Sequence, residues 1–209
     1  MNVLIALGAM IIDGTEGYAE ESSVLAAQME AMTFEQVHEG VLHLLPAAPA
    51  TALDIGAGTG RDAAALVRRG YRVTAVEPVK ELRQHVGRDG LSGGIQWVDD
   101  RLPGLEKLCA LRPNPYSLVL ASAVWMHLSS EDRRIAMFVV GGLLAGAGTF
   151  ILTVRHGPIP QGRHMFSVSD DETIQLARSA GLIAVHHAVV PDLLGRQEMS
   201  WSALAFRLV

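Results

Sequence analysis

The sequence predicts an α/β fold: a mostly parallel, seven-stranded sheet with helices on both faces and an antiparallel last strand. Three observations predict it. Strand and helix signals alternate five times between residues 51 and 154 with short links, and such units require a parallel sheet covered on both sides. The run Tyr116–Ala121, YSLVLA, is continuously apolar, as a fully buried strand is. The runs Ile183–Val190 and Trp201–Leu208 are joined by a loop holding Pro191 and Gly195 instead of a helix, so they can pair antiparallel.

The elements follow in order. Val3–Ile12 is an apolar run with no basic segment before it and no clean small-residue cleavage site after it. A signal peptide is therefore not expected, and the run is too short to span a bilayer. It reads either as an extra strand or helix, or as a translated leader ahead of a start at Met10. Residues 18–32 carry Ala, Glu, Gln and Met at helical density. Thr33-Phe34-Glu35-Gln36 spells a capping box opening a helix over 34–45, which Pro46 ends. Residues 51–55 form a strand that runs into glycines, 62–69 a helix stopped by Gly70, 71–76 a strand, 79–86 a short helix and 95–98 a strand. Residues 103–111 read as a helix with Pro at its start. After the strand 116–121, Ser129 caps a helix running to about Leu144 and weakened by Gly141 and Gly142. Residues 149–154 form the fifth strand. Ser169-Asp170-Asp171-Glu172 is a second capping box, opening a helix that stops at Gly181, and the two final strands follow.

Composition narrows the functional classes. With 209 residues, 49% hydrophobic and 19% charged, the chain suits one compact domain. A net charge of −5 argues against nucleic acid as the main partner, because phosphate binding needs a basic face. Cys109 is the single cysteine, which excludes an intrachain disulfide and a cysteine-based metal cluster and points to a reducing cytoplasm. The eight histidines show no H-E-x-x-H spacing, and His186 and His187 are adjacent on a strand, so no metal is expected. A small-molecule partner, no membrane, and a monomer or homodimer complete the expectation.

The chemistry starts at LDIGAGTGRD, Leu53 to Asp62, with Gly56, Gly58 and Gly60 in five residues. In an open α/β sheet this first strand-to-helix turn lies at the ligand edge. A dinucleotide fingerprint would need a third glycine where Arg61 stands, so the spacing leans away from a nicotinamide cofactor. Glu77, at the end of the second strand, is placed to accept from both hydroxyls of a ribose. The third strand ends in Asp99 and Asp100; a carboxylate there can accept from an adenine amino group. Asp99 is the choice for that contact, and Asp100 has an equal claim to capping the following helix.

These motifs resemble those of the class I S-adenosylmethionine (SAM)-dependent methyltransferases: LDIGAGTGRD their first motif, VTAVEP the ribose motif, WVDDRLP the adenine motif and YSLVLASAVWMHL the fourth-strand motif. AVWMHL, RHGP and the late DLLGR…SW resemble a bacterial subgroup. The likeness covers residues 33–209 and implies a Rossmann-like methyltransferase fold. Residues 1–32 are then a leader and a helix covering the cofactor, Tyr18 included. It implies SAM as cofactor and S-adenosylhomocysteine (SAH) as product, with Asp54, Gly56, Ala57, Gly58, Thr59 and Gly60 holding the methionine and ribose portions, Glu77 the ribose and Asp99 the adenine. Arg61, Asp62, Pro78, Asp100 and Arg101 complete the expected cofactor site, and backbone carbonyls near Ala121 and Ser122 can accept from the methionine ammonium. One departure is Ala-Gly-Ala-Gly at residues 145–148, where the family often has Lys-Pro-Gly-Gly.

Methyl transfer needs an aligned acceptor with a free lone pair and a site closed to water, so no obligatory triad is expected. His127 titrates near neutrality and is the candidate base, with a backbone hydrogen bond as its other reading. Trp125 and Met126 offer apolar surface to an acceptor, or are core. Arg155, His156 and Arg163 suggest a clamp for a carboxylate or phosphate; alternatively Arg155 pairs with a structural acid such as Asp192. Two other classes compete: a non-catalytic SAM or SAH sensor, which would lack an acceptor cavity, and a nicotinamide oxidoreductase, which Arg61 and the antiparallel ending disfavour.

Overall fold

The structure, a computed structural model, describes residues 14–85 and 94–209. The apolar run Val3–Ile12 and the last residue of the helix expected over 79–86 lie outside the described residues. The strands are β1 (Ala50–Ile55), β2 (Tyr71–Val76), β3 (Ile95–Val98), β4 (Tyr116–Ala121), β5 (Leu144–His156), β6 (Leu182–Pro191) and β7 (Ser200–Leu208). They form one sheet in the order β3-β2-β1-β4-β5-β7-β6. β1 to β5 run parallel, and β7 is antiparallel to both β5 and β6. The expected seven strands and antiparallel ending are all present. Between β1 and β4 the order reverses direction, and this switch point opens the crevice that ligands use in such sheets.

Side chains alternate across the sheet as pleating requires. Leu53, Val119, Leu152 and Phe206 enter one core layer, under the helices α5 (Glu106–Ala110), α6 (Ser130–Leu143) and α7 (Asp170–Ser179). Ala52, Leu118, Ile151 and Ala205 enter the other, against α2 (Phe34–His38) and α3 (Arg61–Arg68). Two short helices, α1 (Ser22–Glu30) and α4 (Lys80–Arg83), lie outside these layers.

The capping residues act where they were expected. Thr33 Oγ1 accepts from Gln36 N–H at 3.2 Å while Gln36 Oε1 accepts from Thr33 N–H at 2.8 Å. Ser129 and Ser169 cap α6 and α7 by accepting from Asp132 and Glu172 N–H at 3.1 Å each. At Ser169 the box is not reciprocal. Glu172 turns away to take Arg133 Nε and Nη2, at 3.0 and 2.7 Å, which joins α6 to α7.

Five boundaries differ from expectation, the first being the helix expected over 79–86, which ends at Arg83 with Gln84 and His85 already in a turn. Residues 14–21 form turns ahead of α1, with Gly14 and Gly17 at φ +83 and +74, so the helix expected over 18–32 is shorter. The helix expected over 34–45 changes after His38 into a 3-10 segment, Glu39–Leu44, that begins beside Gly40, a poor helix former. The helix expected from Pro103 starts at Glu106, because Leu105 takes φ +51. β5 begins at Leu144, with its pairing shifting between Tyr116 and Leu118 across the Ala-Gly-Ala-Gly segment.

Candidate active site

The turn after β1 is held open by its glycines. Gly56, Gly58 and Gly60 have φ of +68, +56 and +81, which glycine adopts without strain. Gly56 and Ala57 N–H donate to Val76 O at 2.8 and 3.0 Å, tying the turn to β2. A Cβ on Gly56 would come within 2.3 Å of Val124 Cγ2, and one on Gly58 within 3.0 Å of Met29 Sδ. The bare backbone therefore forms a cradle whose far walls are Val124 and Met29. Gly60 precedes α3.

Glu77 is buried beside this cradle. Its Oε2 accepts from Gly58 N–H and its Oε1 from Val79 N–H, both at 2.8 Å. Burial pushes its pKa up against the pull of those two N–H groups. Glu77, Pro78, Asp100, Arg101 and Leu102 line a cavity of about 150 Å³, closed on its outer side by Gly14, Thr15 and Tyr18. Of the acidic pair, Asp100 is the buried one. It accepts from Arg101 and Leu108 N–H at 2.9 Å each, so it does cap α5, and it also faces the cavity. Asp99, the residue expected at the adenine, has a side chain 58% exposed between Arg83 (3.4 Å) and Lys107 (3.7 Å) and lines neither cavity. At a strand end neighbouring side chains point to opposite sides, so only one of two adjacent acids can face inward.

On the α3 side of the turn lies a second acidic group. Asp54 is buried, its Oδ2 has no partner, and Thr59 Oγ1 is likewise unpartnered. Burial, then the charge of Asp62, raises the Asp54 pKa well above the carboxylate range. Asp62 behaves oppositely. Burial raises it, but His38 and Arg61 outweigh burial and hold it low. His38 Nε2 is 2.8 Å from Asp62 Oδ2, and Arg61 Nε donates to Oδ1 at 2.6 Å. Arg61 Nη1 also donates to Met29 O at 3.1 Å, which fastens α1 over the turn. His38, a buried histidine facing α3 across 24 residues, has no local signature in the sequence.

At the tip of β4, Ala121 is fully buried and lines neither cavity, while Ser122 lines both. Ala123 takes φ +58 and its N–H donates to Thr153 Oγ1 at 2.9 Å. A non-glycine residue in this region is held there by its surroundings. His127 follows. Its Nε2 meets the Tyr18 hydroxyl at 3.0 Å and its Nδ1 meets His164 O at 3.1 Å, so the Nδ1–H tautomer satisfies both. Burial lowers the His127 pKa and keeps the ring neutral.

The other residues expected to hold an acceptor are placed elsewhere. Trp125 is fully buried against Phe150 in the core, and Met126 beside it lines neither cavity. Arg155 donates to Gly157 O, Pro158 O and Met199 Sδ at 3.3, 2.5 and 2.7 Å, organising the loop after β5. It has no hydrogen bond to Asp192, which belongs to Arg196 (2.6 Å). Arg163 donates to Glu16 O and Glu21 Oε2, at 3.0 and 2.5 Å, and stacks over Tyr18. It binds the 14–21 segment to the 157–168 loop. His156 meets Ser202 Oγ at 2.7 Å beside Asp170, on the α7 side of the sheet.

A larger cavity, about 450 Å³, lies on the α2 side. Its walls are Met29, Met32 and Val37 from α1, the α1–α2 link and α2, and Val190, Leu194 and Trp201 from the β6–β7 hairpin. The two cavities share Met29, Gly56, Gly58, Ser122 and Ala123. The hairpin wall was not foreseen; its only signal was the pair Leu193-Leu194 in an otherwise polar loop. Among the described residues no group of three His, Cys, Asp or Glu side chains is arranged to hold a metal, and no helix is long and apolar enough to cross a membrane.

The sheet order is that of solved SAM-dependent methyltransferases, and the chain carries a methyltransferase domain. Residues 53–152 match the methyltransferase domain family. Over 105 residues the chain is 38% identical to a ubiquinone biosynthesis O-methyltransferase of Xylella fastidiosa, a stretch covering 50% of this chain and 42% of that protein. The chain thus spans less than half the length of the curated relatives it matches. Two solved structures share the fold. A TehB-like SAM-dependent methyltransferase from Corynebacterium glutamicum superposes with a TM-score of 0.66 at 19% identity, over 91% of this chain and 99% of that one. The 1,6-didemethyltoxoflavin-N1-methyltransferase of Burkholderia thailandensis, with its substrate and SAH bound, does so with a TM-score of 0.59 at 20% identity, over 100% and 98%.

Proposed function

We propose that this protein transfers a methyl group from SAM to a small-molecule acceptor. The observation that carries the reading is the pair of cavities meeting at Gly56, Gly58, Ser122 and Ala123. One contains the buried acids Glu77 and Asp100; the other is mainly apolar. SAM, when bound, supplies an electrophilic methyl on a positively charged sulfur. The chain's residues suit it: Glu77 for the ribose and Asp100 for the adenine edge in the smaller cavity, and, where the larger cavity adjoins it, the unpartnered Asp54 Oδ2 and Thr59 Oγ1 for the methionine end. The 14–32 segment covers this site through Tyr18 and Met29. Support also comes from the SAH held by the Burkholderia neighbour.

The chain's contribution is positioning first. The cradle and the Ala123–Thr153 bond fix the junction where the two ligands would face each other. The candidate base His127 lines the smaller cavity, its Nε2 lone pair taken by the Tyr18 hydroxyl at 3.0 Å, so general-base help requires an acceptor that reaches past the shared wall and displaces Tyr18. A pure sensor has no need of the 450 Å³ cavity, which lies in the range of ligand sites. Calorimetric titration with SAM and, separately, NAD, followed by a screen of metabolite extracts for products heavier by one methylene, tests the reading. Binding of NAD but not SAM refutes it.

A further inference from the structure

Resting on the methyl-transfer reading, we infer that the acceptor is an uncharged, mainly apolar ring-sized molecule, and that the β6–β7 hairpin, fixed by Asp192, selects for it. The arginines that invite an anion in the sequence are committed elsewhere. Among the described residues lining the larger cavity, the arginines are Arg61 and Arg196. Arg61 is spent on Asp62 and on Met29 O. Arg196 donates to Asp192 through Nε at 2.9 Å and Nη2 at 2.6 Å. The same cavity carries four carboxyl groups, Glu39, Asp54, Asp62 and Asp192. An anion entering it gains no unpaired cation and loses its hydration, because Asp62 and Asp192 already hold these guanidinium groups. An uncharged ring system meets Met32, Val37, Val190 and Leu194 instead.

Asp192 builds the wall. Its side chain is 2% exposed, against 47% for Arg196. It also accepts from Trp201 Nε1 at 2.9 Å and from Leu194 and Arg196 N–H at 3.1 and 3.2 Å. One carboxylate thus sets the hairpin turn, orients Trp201 and neutralises the one guanidinium that would reach an anion from the rim. Specificity is achieved as much by silencing a cation as by offering apolar surface.

The test uses the full chain and the matched probes 1-naphthol and 1-hydroxy-2-naphthoate, titrated calorimetrically with and without SAH. The expected result is at least tenfold tighter binding of naphthol. Asp192→Asn frees Arg196, and Leu194→Arg adds a guanidinium at a half-exposed rim position. Each is expected to raise hydroxynaphthoate affinity at least fivefold relative to naphthol while SAH affinity stays within twofold. Equal or tighter binding of hydroxynaphthoate by the parent protein, or binding of neither probe at millimolar concentration, overturns the inference. So does an unchanged preference in both variants. Failure of SAH to bind strikes the methyl-transfer reading alone, because the naphthol pair is judged without SAH as well.

Discussion

Replacing Glu77 by Gln separates function from stability. The Glu77 carboxylate accepts from Gly58 and Val79 N–H at 2.8 Å each, and bonds to a charged acceptor contribute about 1.5–3 kcal/mol apiece. The amide keeps one and sets its NH2 against the other donor. Against that loss stands the cost of burying a charge, and the raised pKa says burial outweighs the two bonds. A raised folded pKa means that Glu77, compared with a neutral residue, contributes stability below its unfolded value of about 4.3, which is lost as pH rises through the folded value. The variant's melting temperature should therefore climb relative to the parent's as pH rises above about 4.3. SAH affinity should nonetheless fall at least tenfold, about 1.4 kcal/mol, because the ribose loses a charged acceptor and the cradle loses a tie. Calorimetric titration with SAH and thermal melts between pH 4 and 8 read both quantities. An SAH affinity within twofold of the parent's, or a variant melting point that drops relative to the parent as pH rises, refutes the reasoning.

Three further predictions follow from the same geometry. Asp54 is held toward its protonated form by burial and by Asp62, so binding a cationic methionine end should expel a proton; the SAM binding enthalpy should vary with buffer ionisation enthalpy, and in Asp54→Asn it should not. His127 has a lowered pKa, so the stability it contributes is present above the ordinary value of about 6.5 and lost as pH falls through the folded one. Amides of residues 14–21 should accordingly lose hydrogen-exchange protection on acidification, with Tyr18→Phe losing it already at neutral pH. Glu172→Gln should strand the buried Arg133, and partial exposure of Glu172 lowers the usual 3–5 kcal/mol to about 2 kcal/mol, visible as a shift in urea midpoint with unchanged slope.

The sheet was legible because its signals are local. Leu53 and Ile55 point to one layer and Ala52 to the other, and a period of two states that without any tertiary knowledge. Thr33, Ser129 and Ser169 cap helices with bonds spanning three residues, which a short motif encodes. One misplaced boundary is set from afar. Residues 18–21 have helical composition, yet Arg163, 142 residues after Glu21 and in another loop, holds them in turns.

The site divides along the same line. Glu77 and the glycines could be read because the strand they end on dictates where they point. The arginines could not, since a guanidinium in a sequence shows its charge but not its partner. Arg155 and Arg163 carry the charge of an anion clamp, but their donors are consumed by Pro158 O, Met199 Sδ, Glu16 O and Glu21. Trp125 shows the converse case. Its aromatic surface at a strand tip suits a ligand, but the turn through Ala123 at φ +58 rotates it inward against Phe150. Which long side chain meets a ligand is thus decided by backbone turns and distant carbonyls. The wall of the larger cavity is consequently formed by residues with the weakest sequence signal, Val190 and Leu194 on a hairpin whose shape hangs on a single buried carboxylate, Asp192.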